Sequence, residues 1–346
     1  MNKLIVGGTF DELNGKPSYI VEKLALSLGW TCVNGGNLKY IRTFDPAGID
    51  VLLWMPNISN DEAKVLGDLK KKNPHMILIQ SKRVIEKEYF VSDVIGRLLK
   101  SHALLGIMIT KESDAYRFRL LDPLGNQWAD TSEIAEVGQA INSRIDYLST
   151  LSRVQSKKMN TSTDYKVLQE FVEVVKRYGT EFTKFVNAVN PNRLLGNAST
   201  RCAKGFPAIR MNEHILVTKR NVDKQTLSLD DFVLVRAGLT DGFVQFEGDN
   251  KPSVDTPIQL KLFEYYKDVN YIIHGHAYVK NALATHHKLP CGYVQEFDEI
   301  TQLVPDANAK NFNINLTGHG CLILADNLQY LEEQIQNLYA RPFPEL

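Results

Sequence analysis

The sequence predicts an α/β protein with two domains, and three observations lead to this prediction. The chain has 346 residues, and a single hydrophobic core usually divides beyond ~250 to 300 residues. Through residues 1–151, short apolar runs alternate with charged helical stretches, as in a sheet covered by helices. Residues 152–164 are rich in Ser, Lys, Asn and Thr, which indicates a linker before a second domain over 165–346.

The first half has the pattern of a Rossmann-like domain, in which parallel strands alternate with helices. It opens with a strand that ends in a glycine turn, Lys3–Gly8, and an amphipathic helix, Ser18–Leu28. Continuous apolar runs predict three buried parallel strands, at Val51–Met55, Met76–Ile79 and Ala103–Ile109. The remaining elements are a helix over Asp61–Lys72, an antiparallel edge strand at Tyr116–Leu120, a turn at Asp122–Gly125 and a helix to Leu151.

No nucleotide-binding motif specifies a ligand for this first domain. Gly15-Lys16 is followed by Pro17 rather than by Ser or Thr, which excludes a P-loop. Turns at Gly7-Gly8 and Asn34–Gly36 would lie at the carboxyl ends of strands, where open α/β sheets bind their ligands. A nucleotide or phosphorylated sugar and a purely structural role both stay open, and Ser81–Arg83 is the basic segment that could bind an anion.

Two histidines in the second half are spaced so that one strand can present both of them to a metal ion. His274 and His276 follow the apolar run Tyr271–Ile273, and residues i and i+2 lie on one face of a strand. His319, flanked by glycines, precedes another apolar run. Three histidines leave a coordination position open, which is typical of a catalytic zinc site. A chance pair among eight histidines is the alternative.

A carboxylate, Asp255, lies in a polar turn about twenty residues before these histidines. The turn, Lys251–Pro257, precedes a predicted helix, Ile258–Tyr266, which leads back to the histidine strand. Considered alone, Asp255 has the position of a helix N-cap.

From about Tyr165 to the end, four motifs in order resemble the class II aldolase and adducin family, which includes fuculose phosphate aldolase and ribulose phosphate 4-epimerase. Gly196–Arg201 resembles the family's Gly-Asn-x-Ser turn, Ile215–Thr218 the strand entering its phosphate loop, and Pro252–Pro257 its acidic turn. The fourth motif is the set of metal ligands, matched by His274, His276 and His319. The resemblance implies an α/β domain with a central, largely antiparallel sheet.

The resemblance also implies a metal-dependent aldolase or epimerase that acts on a small sugar phosphate. A divalent metal, with Zn²⁺ as the expected ion, would stabilise the enediolate formed when a carbon–carbon bond breaks. Asp255 would carry protons near the metal, and Asp298 or Tyr339 would come from a neighbouring subunit of a homo-oligomer. The implied substrate-binding residues are Asn197, Ser199, Thr218, Lys219, Arg220 and Ser253.

The sequence departs from the family pattern where substrate choice is made. Asp255-Thr-Pro is typical of the epimerase branch, because aldolases usually carry Glu at this position, and Asp298 has the epimerase's offset from Leu289-Pro290. Val254 replaces a serine, and Lys219-Arg220-Asn221 stands where the family usually has Pro-Ser-Gly. The two cations could bind an anion instead of that loop, or they could be a solvated surface pair.

Tyr339 and Asp298 each have an ordinary structural interpretation as well. Tyr339 lies on a helical stripe of apolar residues that could simply be core or interface packing: Leu328, Leu331, Ile335 and Leu338. Asp298 could be an exposed acidic residue. His286 and His287 follow a predicted helix at Lys280–Thr285, from which both cannot reach one metal. The four cysteines lack paired spacing and are expected to be reduced and structural: Cys32, Cys202, Cys291 and Cys321.

Composition limits the classes of binding partner that we expect. Forty basic residues balance forty acidic ones, so no global field favours nucleic acid or a membrane surface. No apolar run approaches the ~18 residues of a spanning helix, and the N-terminus lacks the pattern of a signal peptide. We therefore expect a cytoplasmic protein that binds neither nucleic acid nor a membrane.

Two other functional hypotheses stay open beside the enzyme. One is a non-catalytic binding or structural protein, as adducin is, which the intact set of three histidines argues against. The other is a bifunctional enzyme whose first domain handles a nucleotide or a sugar nucleotide.

Overall fold

The computed structural model describes residues 1–7, 19–33, 43–56, 58–59, 62–84, 91–112, 115–161, 163, 165, 167–186, 195–201, 214–239 and 242–342. Its backbone contacts divide into two compact units, Met1–Thr150 and Leu151–Pro342. Gly8 of the predicted turn at Gly7-Gly8, the predicted turn at Asn34–Gly36, the Gly15-Lys16 pair and Cys202 lie outside the described residues.

The first unit contains a seven-stranded sheet with the strand order β2-β1-β3-β4-β5-β6-β7. The strands are β1 (Lys3–Val6), β2 (Thr31–Val33), β3 (Val51–Trp54), β4 (Ile77–Val84), β5 (Leu105–Glu112), β6 (Ala115–Leu121) and β7 (Gln127–Thr131). Pairing is parallel from β2 to β5 and antiparallel from β5 to β7. The predicted parallel sheet with an antiparallel addition is confirmed.

Four described helices accompany this sheet: α1 (Tyr19–Leu28), α2 (Ala63–Lys72), α3 (Val91–Ser101) and α4 (Ile134–Thr150). Every residue of β3 is buried, and Leu66 of α2 and Leu98 of α3 pack with Leu52 and Trp54 of that strand. A strand covered on both faces needs apolar side chains at every position. This is why the buried strands could be identified from continuous apolar runs.

The second unit contains a nine-stranded sheet with the order β15-β16-β17-β13-β9-β10-β11-β12-β8. Its strands are β8 (Gln155–Lys158), β9 (Asn197–Arg201), β10 (His214–Thr218), β11 (Phe232–Arg236), β12 (Phe243–Phe246), β13 (Tyr271–Gly275), β15 (Leu283–Ala284), β16 (Phe312–Leu316) and β17 (Gly320–Ala325). Only the two outermost pairs, β15–β16 and β12–β8, are parallel. The predicted largely antiparallel sheet is confirmed. A two-stranded sheet pairs β14 (Tyr278–Val279) with β18 (Leu338–Tyr339).

Helices cover both faces of the nine-stranded sheet. Helices α5 (Gln169–Val186) and α8 (Leu328–Ile335) pack on one face, and α6 (Thr256–Tyr265) and α7 (Gln295–Leu303) pack on the other. Along β13, Ile273 belongs to the α5–α8 core and Ile272 to the α6–α7 core. Because strand side chains alternate, His274 points toward the α6–α7 side.

Three local predictions differ from the structure. Residues 152–164, predicted as a linker, contain β8, whose pairing with β12 outweighs its polar composition. The helix predicted at Lys280–Thr285 is wrong, because Asn281 adopts a φ of 61° and Leu283–Ala284 form β15. Helix α8 ends at Ile335, so Tyr339 lies in β18 and not on the predicted helical stripe.

Within the described part of the chain, no helix has the length and apolar character needed to cross a membrane.

Candidate metal centre

Strand pairing brings the three predicted histidine ligands to one edge of the nine-stranded sheet. His274 lies near the end of β13, and His276 follows directly after that strand. Because β17 runs antiparallel to β13, with Cys321 opposite Gly275, the turn that carries His319 lies at the same edge. The ring centroids lie 4.8 to 5.2 Å apart. One ligand atom from each ring lies within 4.8 Å of the others.

Close packing requires glycine at two positions, Gly275 between the first two histidines and Gly320 beside the third. A Cβ on Gly275 would overlap the Tyr178 hydroxyl and lie 2.8 Å from Phe182, and a Cβ on Gly320 would overlap the carbonyl oxygen of Gly275. Distances below 3 Å force neighbouring atoms to move. The His-Gly-His and Gly-His-Gly patterns therefore reflect packing as well as ligand spacing.

His274 is oriented with a free nitrogen toward the centre of the cluster. Its Nδ1 donates a hydrogen bond to the carbonyl oxygen of Cys321 at 2.9 Å. Because a carbonyl only accepts, Nδ1 carries the proton and Nε2 keeps its lone pair. This Nε2 is buried and has no hydrogen-bond partner among the described residues. Burial lowers the pKa of His274 to about 4, so the ring is neutral and able to bind a metal at neutral pH.

The second histidine, His276, is half-buried and also neutral. Burial lowers its pKa well below the usual value, and the neighbouring His319 and His274 lower it further. A metal ion requires neutral imidazoles, so the electrostatics of His274 and His276 favour binding a cation over binding protons.

His319 is held by a buried carboxylate that the sequence analysis missed. Its Nδ1 lies 2.6 Å from Oε1 of Glu296, and both side chains are almost fully buried. Burial alone would lower the pKa of His319, but Cys291 and Glu296 raise it above its usual value. A carboxylate on the second nitrogen orients a metal-binding histidine. The sequence signal that could have identified Glu296 is its position on the helix, because Glu296 and Ile300 together form the buried face of α7.

A cysteine also reaches the cluster. Sγ of Cys291 lies 3.1 Å from Nε2 of His319. Asp255, Cys291 and His319 form a second set of donors within 4.8 Å of one another, which shares His319 with the three-histidine set. The prediction that Cys291 is merely structural overlooked this contact, because 28 residues separate the two side chains in sequence.

Asp255 turns its carboxylate toward the histidines instead of toward its own helix. It occupies the N-cap position of α6, but its side chain makes no capping hydrogen bond. One oxygen, Oδ2, lies 3.6 Å from Nε2 of His274 and accepts a hydrogen bond from Asn197 at 3.3 Å. The other, Oδ1, is buried without a partner in the described structure. A carboxylate with one fixed and one unused oxygen can bind a cation or exchange a proton.

Two of the predicted substrate-binding residues lie beside Asp255. Nδ2 of Asn197 donates to Oγ of Ser253 at 2.9 Å, and Gln259 donates to Oδ1 of Asn197. Asn197 is paired with His274 across β9 and β13, so both side chains lie on the same face. The acidic turn and the Gly-Asn-x-Ser turn are thus joined by side-chain hydrogen bonds next to the histidines.

Two others are buried in the sheet, away from this network. Ser199 lies on β9 opposite Ile272, and its hydroxyl is fully buried without a partner among the described atoms. The Thr218 hydroxyl accepts a hydrogen bond from the backbone of Ala198 at 3.2 Å. In this structure Thr218 therefore fixes two strands to each other.

The two cations after β10 differ in their surroundings. Nζ of Lys219 lies 2.5 Å from Oδ1 of Asp231, so this charge is already paired. Arg220 donates weakly to the carbonyl oxygen of Pro252 at 3.4 Å. Arg220 is exposed; partial desolvation and the nearby Arg153 lower its pKa, while Asp255 acts in the opposite direction. Arg220 thus lies within electrostatic reach of the site, and Arg153 is a cation that the sequence analysis missed.

Asp298 and Tyr339 lie at the periphery. Asp298 is exposed on α7. The Tyr339 ring is 37% exposed and packs against Tyr278, with centroids 5.9 Å apart. The Tyr278 hydroxyl accepts a hydrogen bond from the backbone N–H of Gly318 at 2.8 Å. Tyr339 is therefore separated from the His319 turn by one aromatic ring.

The family comparison supports the resemblance stated from the motifs. Residues 192–329 match the family described as the class II aldolase and adducin N-terminal domain. The resemblance of the C-terminal half is confirmed over this range. No curated protein matches the chain in sequence.

Several solved structures are similar to parts of the chain. The L-fuculose 1-phosphate aldolase from Glaciozyma antarctica PI12 is 15% identical, with 51% of this chain and 76% of that chain covered and a TM-score of 0.31. The N-terminal class II aldolase domain of a conserved protein from Thermoplasma acidophilum is 16% identical, with coverages of 53% and 95% and a TM-score of 0.34. The DNA/pantothenate metabolism flavoprotein from Streptococcus pneumoniae is 13% identical, with coverages of 43% and 99% and a TM-score of 0.34.

Proposed function

We propose, from the class II aldolase and adducin match over residues 192–329, that this protein is a metal-dependent aldolase or epimerase of a small sugar phosphate. The proposed metal ligands are His274, His276 and His319, and the proposed ion is Zn²⁺. The observation that carries the proposal is the buried Nε2 of His274, which has no partner within the described chain and belongs to a cluster of three imidazoles.

The residues present fit a divalent metal. Neutral imidazole is a common zinc ligand, and three such ligands leave a position for substrate. Glu296 supplies the outer carboxylate that metal-bound histidines commonly have. When bound, the ion would supply Lewis-acid stabilisation of the enediolate that forms as a carbon–carbon bond breaks.

The chain's own residues would position the substrate and move its protons. Asp255 would accept a proton from the substrate hydroxyl through its unpartnered Oδ1, because Oδ2 is held by Asn197. Asn197 and Ser253 keep this carboxylate next to His274. Arg220 would bind the phosphate, since a guanidinium can form two parallel hydrogen bonds to its oxygens.

Aldol cleavage and epimerisation share these steps. If the aldehyde leaves, the enzyme is an aldolase; if the aldehyde rotates and is recaptured from its other face, the product is the epimer. Asp255-Thr256-Pro257, which is typical of the epimerase branch, favours the second outcome.

The assembly and the location of the protein belong to the same proposal. We propose a cytoplasmic homo-oligomer in which Asp298 or Tyr339 assists a neighbouring subunit's site. The exposure of both side chains supports this arrangement, and sedimentation velocity together with cell fractionation would test it.

A ligand-binding role for the first unit is a second candidate function. In the parallel order β2-β1-β3-β4-β5, the chain adds β2 on one side of β1 and β3 on the other, so the strand order switches between β1 and β3. Open α/β sheets bind ligands at such a switch point, outside the carboxyl ends of the strands. Thermal-shift measurements on the whole protein with nucleotides and sugar nucleotides would test this role. No shift with any of them would favour a structural domain.

Metal analysis followed by a substrate screen tests the leading proposal. Elemental analysis should find close to one divalent metal per chain in the wild type and a loss of that metal in His274→Ala and His319→Ala, with the fold intact by circular dichroism. Metal-loaded protein should then cleave or epimerise a pentose or deoxyhexose phosphate.

Asp255→Asn should keep its metal but lose about 10²- to 10⁴-fold in kcat, which is the usual contribution of a general acid–base group. A wild type that binds no zinc, manganese or cobalt would overturn the proposal and favour an adducin-like binding protein.

A further inference from the structure

Cys291 is the one described cysteine whose sulfur belongs to a donor cluster. All three described cysteines are free of disulfide bonds, and neither Cys32 nor Cys321 belongs to a group of described residues that could hold a metal. Sγ of Cys291 lies 3.1 Å from Nε2 of His319, the nitrogen left after Nδ1 pairs with Glu296. The thiol therefore contacts the atom through which His319 would bind the metal.

The surrounding donors form two sets that meet at His319. Cys291, Asp255 and His319 lie within 4.8 Å of one another, and Asp255 in turn lies 3.6 Å from His274. Ligands held about 2.0 to 2.3 Å from a tetrahedral zinc ion lie roughly 3.3 to 3.8 Å from each other. The separation of 3.6 Å between Asp255 and His274 lies within that range, and the separation of 3.1 Å between Cys291 and His319 is slightly shorter.

An ordinary hydrogen bond from Cys291 to His319 explains fewer features of the site than a bound metal ion does. A thiol is a weak donor and a weak acceptor. Such a bond would leave Nε2 of His274 and Oδ1 of Asp255 buried without any partner in the described structure. Buried polar atoms without partners are costly, and several at one place are typical of a site that binds an ion or water.

We infer that Cys291 is a protein ligand of the metal in the substrate-free protein, an inference that rests on the proposed function. The thiol would release its proton to solvent on binding the metal, because a coordinated thiol is deprotonated. The thiolate would occupy the coordination position that three histidines leave open, and substrate oxygens would replace it there as the sulfur takes a proton back from solvent. A soft sulfur ligand also favours Zn²⁺ and Co²⁺ over Mg²⁺ and Mn²⁺.

The first test is the absorption spectrum of the Co²⁺-loaded whole protein. We expect visible bands from bound Co²⁺ together with a near-ultraviolet sulfur-to-cobalt charge-transfer band. The charge-transfer band should be absent in Cys291→Ser, which should keep the visible bands. Cys32→Ser, which changes a cysteine of the first unit, should retain both sets of bands and is the matched control.

The outcomes separate this inference from the proposed function. Visible bands without a charge-transfer band in the wild type would overturn the role of Cys291 and leave the three-histidine site standing. A wild type that binds no Co²⁺ or Zn²⁺ would overturn both. A charge-transfer band that survives in Cys291→Ser would assign the sulfur to another cysteine and also overturn the inference.

A second test needs no variant and remains valid if Cys291→Ser does not fold. X-ray absorption of the Zn²⁺-loaded wild type should contain one sulfur scatterer at about 2.3 Å beside nitrogen and oxygen at about 2.0 to 2.1 Å. A shell of nitrogen and oxygen alone would contradict the inference. In competition with a chelator, Cys291→Ser should bind Zn²⁺ more weakly by at least about 10- to 100-fold, the loss typical of removing even an outer partner.

Discussion

Glu296 accepts a hydrogen bond from Nδ1 of His319 at 2.6 Å, in a region where both side chains are almost fully buried. Helix α7 thereby fixes the orientation of a histidine that belongs to the turn between two strands. The carboxylate also determines that Nε2, and not Nδ1, faces the other histidines. The geometry of the proposed metal site thus depends on a helix as well as on the strand edge.

Replacing Glu296 by Gln should weaken Zn²⁺ binding by about 10- to 100-fold, because outer carboxylates contribute this much to the affinity of their histidines. Chelator competition would measure the change. Glu299→Gln is the matched control, since it disrupts another carboxylate–histidine pair on the same helix, with the exposed His287, outside the cluster. Equal affinities in the two variants would contradict a role for Glu296 in positioning His319.

Lys219→Ala and Arg220→Ala should differ in their effects on a phosphate-bearing substrate. Lys219 is already paired with Asp231, whereas Arg220 lies within reach of Asp255 and Arg153. Losing a hydrogen bond to a charged group costs about 1.5 to 3 kcal/mol, so Arg220→Ala should raise KM roughly 10- to 100-fold. Lys219→Ala should change KM by less than about 3-fold, within the range of an exposed ion pair. Steady-state kinetics would measure both values, and the reverse order would identify Lys219 as the phosphate-binding cation.

Local sequence was sufficient to predict elements and site residues where these follow the regular periodicity of a strand. The apolar run before His274 predicted β13, and the i, i+2 spacing predicted that two imidazoles emerge near its end. Continuous apolar runs predicted the buried parallel strands of the first unit for the same reason.

Sequence was insufficient where contacts cross long separations. Cys291 contacts His319 across 28 residues, and Glu296 contacts His319 across 23. Neither separation corresponds to the repeat of a helix or a strand. The alanine-containing segment Lys280–Thr285 has helical propensity, but the left-handed backbone at Asn281 and the pairing of β15 with β16 override it. Propensity is a weak prior when tertiary pairing competes with it.

Gly275→Ala should destabilise the second unit by about 1 to 3 kcal/mol, the usual cost of overpacking a core. The added methyl group would overlap the Tyr178 hydroxyl, so Gly275→Ala combined with Tyr178→Phe should recover part of the loss. All three tryptophans, Trp30, Trp54 and Trp128, lie in the first unit. Hydrogen exchange in β13 and β17 should therefore be measured instead of tryptophan fluorescence. No recovery in the double variant would mean that the hydroxyl is not the obstacle.

Acid should destabilise the metal-free protein through His274. Its pKa is lowered to about 4 in the folded state from the ordinary histidine value of 6.5, mainly by burial. The unfolded chain therefore binds more protons between these two values, so stability is fully present above pH ~6.5 and is lost as pH falls toward ~4. The shift corresponds to at most about 3 kcal/mol. His276, whose pKa is also lowered, acts in the same direction.

His274→Asn should therefore make the free energy of unfolding of the metal-free second unit depend less steeply on pH between ~4 and ~6.5. Denaturant-dependent hydrogen exchange in β13 and β17 would measure the slope. His319, whose pKa is raised, contributes stability below pH ~6.5 that is lost above that value, so its titration falls outside this window. His287→Asn removes an exposed histidine of the same unit and is the matched control. If the wild type and His274→Asn share one slope, burial does not keep His274 neutral, and the argument that this ring is ready to bind a metal at neutral pH fails with it.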